Sequence, residues 1–435
     1  MSRLNEGVAL RGRRSCLVLT VVATALVGAP GGAPAAERGS PSDRLQSAWV
    51  ELAAGRTAIV RAITEAPKCP PVRFDGTKRS MRVRADVTPD FSVLTCERGV
   101  DPDVRRISVA GKKLPVPASR PRRIAVVGDA GCRLEGPARS QACNDPDRWP
   151  FAQVADSVAE WHPDLIVHVG DYLYREDACP DGNEGCAGSP FGDDWPAWDA
   201  DLFTPASKAL KAAPWIFVRG NHEACNRAGE GWFRFLDTRG VPNPCQDFTL
   251  PYGVDIGNGM RMVVMDTSGA SDFTPFNPVQ YAPQFSALPE LAGDRAWLLT
   301  HRPLWGLAAI KGGSDYALTN TTLEMASQNS LPDAVRMVLS GHLHNAEVFG
   351  FTGDRSPQVV VGNSGTSLDD QITKPIEGTD AGGGETIKDA LAVSRFGFAT
   401  FTSNGPGWQL SLRGVGGNAF AQCRVAGSSA ACESG

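Results

Sequence analysis

Apolar and polar positions change rhythm twice along this chain. From residue 37 to about residue 120 they alternate in short runs, Thr57 to Thr64, Met81 to Val87, Phe91 to Cys96 and Arg106 to Val109, parted by Pro, Gly and Asp. Period-two alternation in such short pieces predicts antiparallel strands with one covered face. Residues 37–120 are therefore expected to form a small N-terminal all-β domain, closed by the linker Pro115-Val116-Pro117-Ala118-Ser119-Arg120-Pro121.

From Arg122 the apolar runs become continuous: Ile124 to Val127, Leu165 to Val169, Trp215 to Val218, Met262 to Met265, Ala296 to Leu299, Val335 to Leu339 and Val359 to Val361. Longer segments of helical character separate them, among them Asp147 to Trp161, with Phe151, Val154, Val158 and Trp161 on one face, and Trp195 to Ala213. Continuous apolar strands alternating with helices predict an α/β architecture whose sheet is covered on both faces. Near the end alternation returns: Phe396 to Phe401 and Trp408 to Leu412 flank Asn404-Gly405-Pro406-Gly407 and predict an antiparallel hairpin. Asp369 to Thr386, with three successive glycines, reads as a mobile surface loop.

Five of the apolar runs end in short polar segments: Gly128-Asp129-Ala130-Gly131, Gly170-Asp171-Tyr172-Leu173-Tyr174, Gly220-Asn221-His222-Glu223, Thr300-His301-Arg302-Pro303 and Gly341-His342-Leu343-His344. Four of the six His in the chain lie in them. Loops at the carboxyl ends of strands in an α/β sheet converge, and converging His, Asp and Asn side chains are what a metal site needs. Asp171 and Tyr174, three residues apart, offer a carboxylate and a phenol to one ion. Tyr172 is expected to be a packed aromatic, and His162 and His168, outside the segments, to be a helix-end and a strand histidine.

Composition narrows the setting. A net charge of -5 with 21% charged residues leaves no basic surface suited to nucleic acid. Arg11, Arg13 and Arg14 precede the apolar run Leu17 to Val27 and the small residues Ala33-Pro34-Ala35-Ala36, so residues 1–36 read as an export signal. The run is shorter than the roughly 20 residues that span a bilayer, which predicts no transmembrane anchor. Arg13-Arg14 fits a twin-arginine route to a periplasmic or extracellular location. Of eleven Cys, Cys16 leaves with the signal, and ten remain. An even number in an exported chain predicts disulfides; proximity pairs Cys69 with Cys96, Cys132 with Cys143, Cys179 with Cys186, Cys225 with Cys245, and Cys423 with Cys432. Three of these pairs follow the first three polar segments and would staple their loops. No residue points to a protein partner.

Taken together, the five segments resemble the calcineurin-like metallophosphoesterase superfamily, in which an Asp segment, a bridging-Asp segment, GNH(D/E), a lone His and GHxH follow in this order. Gly131 stands where most members have a His ligand, and Tyr174 in GDxxY replaces it, as in the purple acid phosphatase-like branch. The resemblance implies a β-sandwich flanked by helices (αββα) over residues 121–420, followed by a Cys-containing tail, 421–435. It also implies two metal ions, one held by Asp129, Asp171, Tyr174 and His344, the other by Asp171, Asn221, His301 and His342. The anionic oxygens of the first set suit Fe(III), and the more neutral second set a divalent ion, Fe, Zn or Mn. With a bridging hydroxide the centre carries a formal charge of roughly +1, suited to a phosphate ester. His222 becomes the acid for the leaving alcohol and Glu223 an acceptor that orients an imidazole; the chain departs from better-known members in having no further His just after the lone-His segment, where Arg302 or Lys311 is expected as a phosphate contact instead. The function implied is a secreted hydrolase that cleaves phosphoric esters, monoesters first, through attack by the bridging hydroxide. A phosphodiesterase acting on nucleotides or lipid head groups is the alternative within the class, and a non-catalytic, metal-stabilised surface binding protein the alternative outside it.

Overall fold

The computed structural model describes residues 44–404 and 407–434; the expected export signal lies outside them. Two large sheets face each other. The first has eleven strands in the order Ser429–Ser434, Ala419–Ala426, Gly407–Gly414, Gly397–Asn404, Arg123–Val127, Leu165–His168, Trp215–Phe217, Leu45–Leu52, Ala58–Thr64, Leu94–Gly99 and Arg82–Ala85. The second has seven: Tyr252–Asp255, Arg261–Val264, Ala296–Leu299, Val335–Ser340, Gln358–Val361, Ala346–Phe351 and Ile387–Val393.

At the centre of each sheet the strands run parallel, and these are the continuous apolar runs. Alternate residues explain why they must be apolar throughout. Ile124 and Val126 point into the core between the sheets, with Leu165, Val167, Met262, Trp297, Leu299 and Leu339. Ala125 and Val127 point the other way, under Phe151, Val154 and Val158 of the helix Phe151–Glu160. The helices Pro278–Ser286, Leu288–Ala292 and Thr321–Ser327 cover the outer face of the second sheet through Tyr281, Phe285, Leu288 and Leu323. The result is the αββα sandwich expected from the resemblance.

Three regions differ from the pattern-based expectation. The N-terminal strands are antiparallel, but they do not stand apart. Leu45–Leu52 pairs with Trp215–Phe217 in parallel, Glu51 opposite Trp215, and so carries three further strands into the main sheet. Trp49 and Ile63 join the same core as Trp215, and the buried Arg61 links Glu51 and Glu97 to the Phe235 carbonyl. The described residues accordingly form one compact unit; the proline linker ends a sheet extension, not a separate body. In the Cys-containing tail, Ala419–Ala426 and Ser429–Ser434 pair as antiparallel strands with Cys423 opposite Cys432. The segment 369–386 is tied down by Ile372, Ile376 and Ala381 in the outer core.

The single helix expected over Trp195 to Ala213 breaks into Trp195–Trp198, a π-helical turn Asp199–Phe203 and Ala209–Ala212. Pro205 lacks the amide that would continue it. The break has a use. Asp201, fully buried in the π turn, accepts the amides of Cys132 and Tyr174, each at 3.0 Å, and so ties together the first two polar segments.

Candidate metal centre

All five polar segments lie at one end of the parallel strands. Asp129, Asp171 and His342 take left-handed backbone angles, with φ of 53°, 57° and 72°, which non-glycine residues adopt mainly at constrained functional turns. Glycines let these turns press together: a Cβ on Gly220 would lie 2.0 Å from Asp171 Oδ1, and one on Gly341 2.3 Å from Asp129 Oδ2. Glu223 is the clamp. Its buried carboxylate accepts the amides of Tyr172 (2.8 Å), Gly220 (3.0 Å), Asp171 (3.1 Å) and Leu173 (3.2 Å). It holds two loops in place and orients no imidazole, contrary to expectation; burial first, then the Asp171 charge, pushes its pKa up to about 8.

Backbone carbonyls orient the ring nitrogens instead. His301 Nδ1 donates to the Val169 carbonyl at 2.9 Å and His344 Nδ1 to the Ser367 carbonyl at 2.9 Å. Each Nε2 is thereby left as a ligand atom. His301 Nε2 stands 2.9 Å from Asn221 Oδ1 and 3.1 Å from Asp171 Oδ2. His344 Nε2 stands 3.0 Å from the Tyr174 hydroxyl and 3.6 Å from Asp129 Oδ1. His342 is turned round, its Nε2 lying 3.0 Å from Asp272 Oδ2, so Nδ1 is the atom it offers. Asp171, His301 and His342 each present a donor atom within 4.8 Å of the others. The Tyr174 hydroxyl, 2.8 Å from Asp171 Oδ2 and 3.1 Å from Asp129 Oδ1, joins this group to Asp129 and His344.

The charges fit cations. Burial, then the Asp171 carboxylate, pushes the Asp129 carboxyl well above its usual range. Burial also pushes the Tyr174 phenol well up, with Asp171 and Asp129 adding to it. Asp171 is held well below its usual range, because the His301 and His222 imidazoles and the His222 amide outweigh its burial. Burial lowers His342 to about 4 and holds His344 well below the usual imidazole range, which favours the neutral form that ligates. Binding cations here would release the protons held by Asp129 and Tyr174.

The absence of a His after the first Asp also has a structural cause. A Cβ on Gly131 would lie 2.6 Å from the Tyr172 carbonyl, 2.7 Å from Asp201 Oδ2 and 2.8 Å from the Tyr174 amide. The loop that delivers Tyr174 fills the space any side chain at 131 would need.

A family model for the calcineurin-like phosphoesterases matches residues 122–346, which include all five segments. The chain belongs to the calcineurin-like phosphoesterase family. Binuclear metal sites are typical of that family. A search of curated proteins finds no match. Among solved structures, the chain is similar to PhoD (TM-score 0.51, 12% identity, covering 92% of this chain and 90% of that one). It is also similar to purple acid phosphatase PPD1 from yellow lupin, Lupinus luteus (TM-score 0.49, 14% identity, 88% and 74%), and to GAP50, the anchor in the inner membrane complex of Plasmodium (TM-score 0.44, 14% identity, 71% and 90%).

In this phosphoesterase His222 is almost fully buried and lies against Tyr174, ring centroids 3.7 Å apart. Its Nδ1 is 2.8 Å from Glu176 Oε1, and its Nε2 is 3.6 Å from Glu135 Oε1 and 3.8 Å from Asp171 Oδ2. Arg227 bridges Glu176 (2.6 Å) and Glu135 (3.3 Å) beside it. Arg302, expected to contact phosphate, is paired with Asp272 and lies 2.8 Å from His342 Nε2. Lys311, the other expected contact, is exposed and paired with Asp315 at 3.2 Å. Tyr172, His168 and His162 are as expected. Tyr172 donates to the Val218 carbonyl and stacks on the buried His168, and His162 follows the helix end with φ 54°. Pattern reading missed Glu176 and Arg227, whose only signal is nearness to Tyr174 and His222. It missed Asp272 and also Asp369, which accepts the His344 amide at 2.8 Å; both sit in loops with no motif.

All five proximity-based cysteine pairs form disulfides. Among the described residues no helix is long and apolar enough to cross a membrane. The disulfides fit an exported protein.

Proposed function

We propose that this phosphoesterase hydrolyses phosphoric monoesters, outside the cytoplasm, at a centre of two metal ions. The observation that carries the reading is the position of Asp171 Oδ2, 2.8 Å from the Tyr174 hydroxyl on one side and 3.1 Å from His301 Nε2 on the other. One carboxylate thus serves two donor sets. Asp129, Asp171, Tyr174 and His344 would hold one ion, and their hard anionic oxygens favour Fe(III); Asp171, Asn221, His301 and His342 would hold a divalent one. Two bound ions supply charge for the phosphoryl oxygens and a water of lowered pKa.

The chain's own residues do the rest. Glu223 and the glycines fix the loops, so the donors need no rearrangement to bind. His222, kept from bulk water and braced at Nδ1 by Glu176, faces the centre through Nε2 and gives its proton to the leaving alcohol. The test is to load the protein with iron and zinc and follow nitrophenyl phosphate and bis-nitrophenyl phosphate. Monoester turnover accompanied by a broad visible absorption band is the expected result. A loaded protein that turns over neither ester would show that the ions serve only the fold.

A further inference from the structure

Three arginines border the centre, and two are neutralised: Arg227 by Glu176 and Glu135, Arg302 by Asp272. Arg133 is not. Its nearest carboxylate among the described residues is Glu135, at 4.0 Å, which is already shared by Arg227 and Arg139. Its Nε is buried without a hydrogen-bond partner. The guanidinium lies over Tyr174, 5.2 Å from the ring centroid, with Nη2 3.4 Å from both ring nitrogens of His344. Neither nitrogen is a lasting acceptor. Nδ1 already donates to Ser367, and Nε2 faces the Tyr174 and Asp129 oxygens, where a cation would take its lone pair.

The backbone that carries this side chain is fixed. Arg133 exchanges hydrogen bonds with Gln141 (3.1 Å and 2.8 Å), sits beside the Cys132–Cys143 disulfide, and is followed by Leu134, whose amide donates to the Tyr174 carbonyl at 2.9 Å. A mostly buried, preorganised guanidinium whose nearest carboxylate is 4.0 Å away and shared, with Asp369 acting on it only through its charge, is left with N–H groups for a further anion.

We infer that Arg133 is the phosphate-gripping residue of this site, donating its N–H groups to the phosphoryl oxygens, and that it makes the site select dianionic monoesters over monoanionic diesters. This rests on the hydrolytic reading above and adds a specificity residue to it. A guanidinium matches two phosphoryl oxygens at once, whereas an ammonium reaches one.

The experiment compares the metal-loaded wild type with Arg133→Gln and Arg133→Lys, measuring metal content, the visible spectrum, steady-state kinetics on nitrophenyl phosphate and bis-nitrophenyl phosphate, and inorganic phosphate binding by calorimetry. Arg133→Gln should keep both metals and the spectrum yet lose about 10- to 100-fold in kcat/KM on the monoester, mostly through KM, with a parallel loss in phosphate affinity. The diester should fall less than about threefold, and Arg133→Lys should lie between. Equal losses on both esters, loss of metal, or unchanged phosphate affinity would each overturn the assignment and leave Arg133 a structural partner of Tyr174. If the wild type cleaves neither ester, the hydrolytic reading fails by itself. The phosphate calorimetry then still decides: weaker binding in Arg133→Gln keeps the grip, and equal binding removes it.

Discussion

The two halves of the candidate centre share Asp171 and differ in almost everything else. Around Tyr174 the donors, His344 apart, are oxygens that ionise, and in the metal-free protein two of them, Asp129 and the phenol, are pushed upward by burial and then by the Asp171 charge. Around His301 the donors are an amide oxygen and two imidazoles, and the nearby charges, Asp272 and Arg302, cancel each other. The first half is short of positive charge and the second is close to balanced. Sites that differ in this way sort ions by charge more than by size.

Substitutions at the shared residue and on either side of it test the contrast. Asp171→Asn should strip both ions and lower turnover by more than about 10⁴-fold, since activated water and charge stabilisation vanish together; metal analysis showing one ion retained would break the shared-ligand assignment. His222→Ala should keep both ions and slow the reaction by about 10²- to 10⁴-fold, and undiminished kcat would remove its acid role. Tyr174→Phe should abolish the visible band while the zinc stoichiometry holds; a band that survives the substitution belongs to another ligand. Asp272→Asn should do the reverse, weakening only the divalent ion by about 10- to 100-fold through the orientation of His342, as read by competition with a chelator.

The smallest effect concerns the metal-free fold and contrasts the two sheets. His168, in the first, is driven by burial from 6.5 down to about 3. As pH falls below 6.5 the unfolded chain takes up the proton first, so the stability that neutral His168 contributes is lost between pH 6.5 and about 3. Glu347, in the second, is raised by burial from 4.5 to about 8; its contribution is full below pH 4.5 and is lost as pH rises toward 8. Melting curves of metal-free His168→Gln should flatten on the acid side only and those of Glu347→Gln on the alkaline side only. Unchanged slopes would show that other groups govern the pH range.

Much of the fold was legible because burial on both faces leaves a plain mark, a continuous apolar run. The central strands carry that mark, the helix Phe151–Glu160 a periodic apolar face, and the paired strands Gly397–Asn404 and Gly407–Gly414 an alternation. Cysteine pairing was legible for a different reason: each partner is close in sequence, so short loops bring them together. The sheet extension from residues 45 to 99 was not legible. Its strands alternate as those of a free-standing sheet would, and nothing local records that Glu51 lies beside Trp215.

The site divides in the same way. Sequence alone pointed to the candidate donors, because each sits within a few residues of a strand end and the strand ends of such a sheet converge. Only the tertiary structure decided what surrounds them: that Glu223 clamps amides, that Arg302 is neutralised by Asp272, that Gly131 has no room for a side chain, and that Arg133 has only a distant, shared carboxylate. These are relations between residues tens to hundreds of positions apart, and their energies depend on distance and burial, which a linear pattern does not carry.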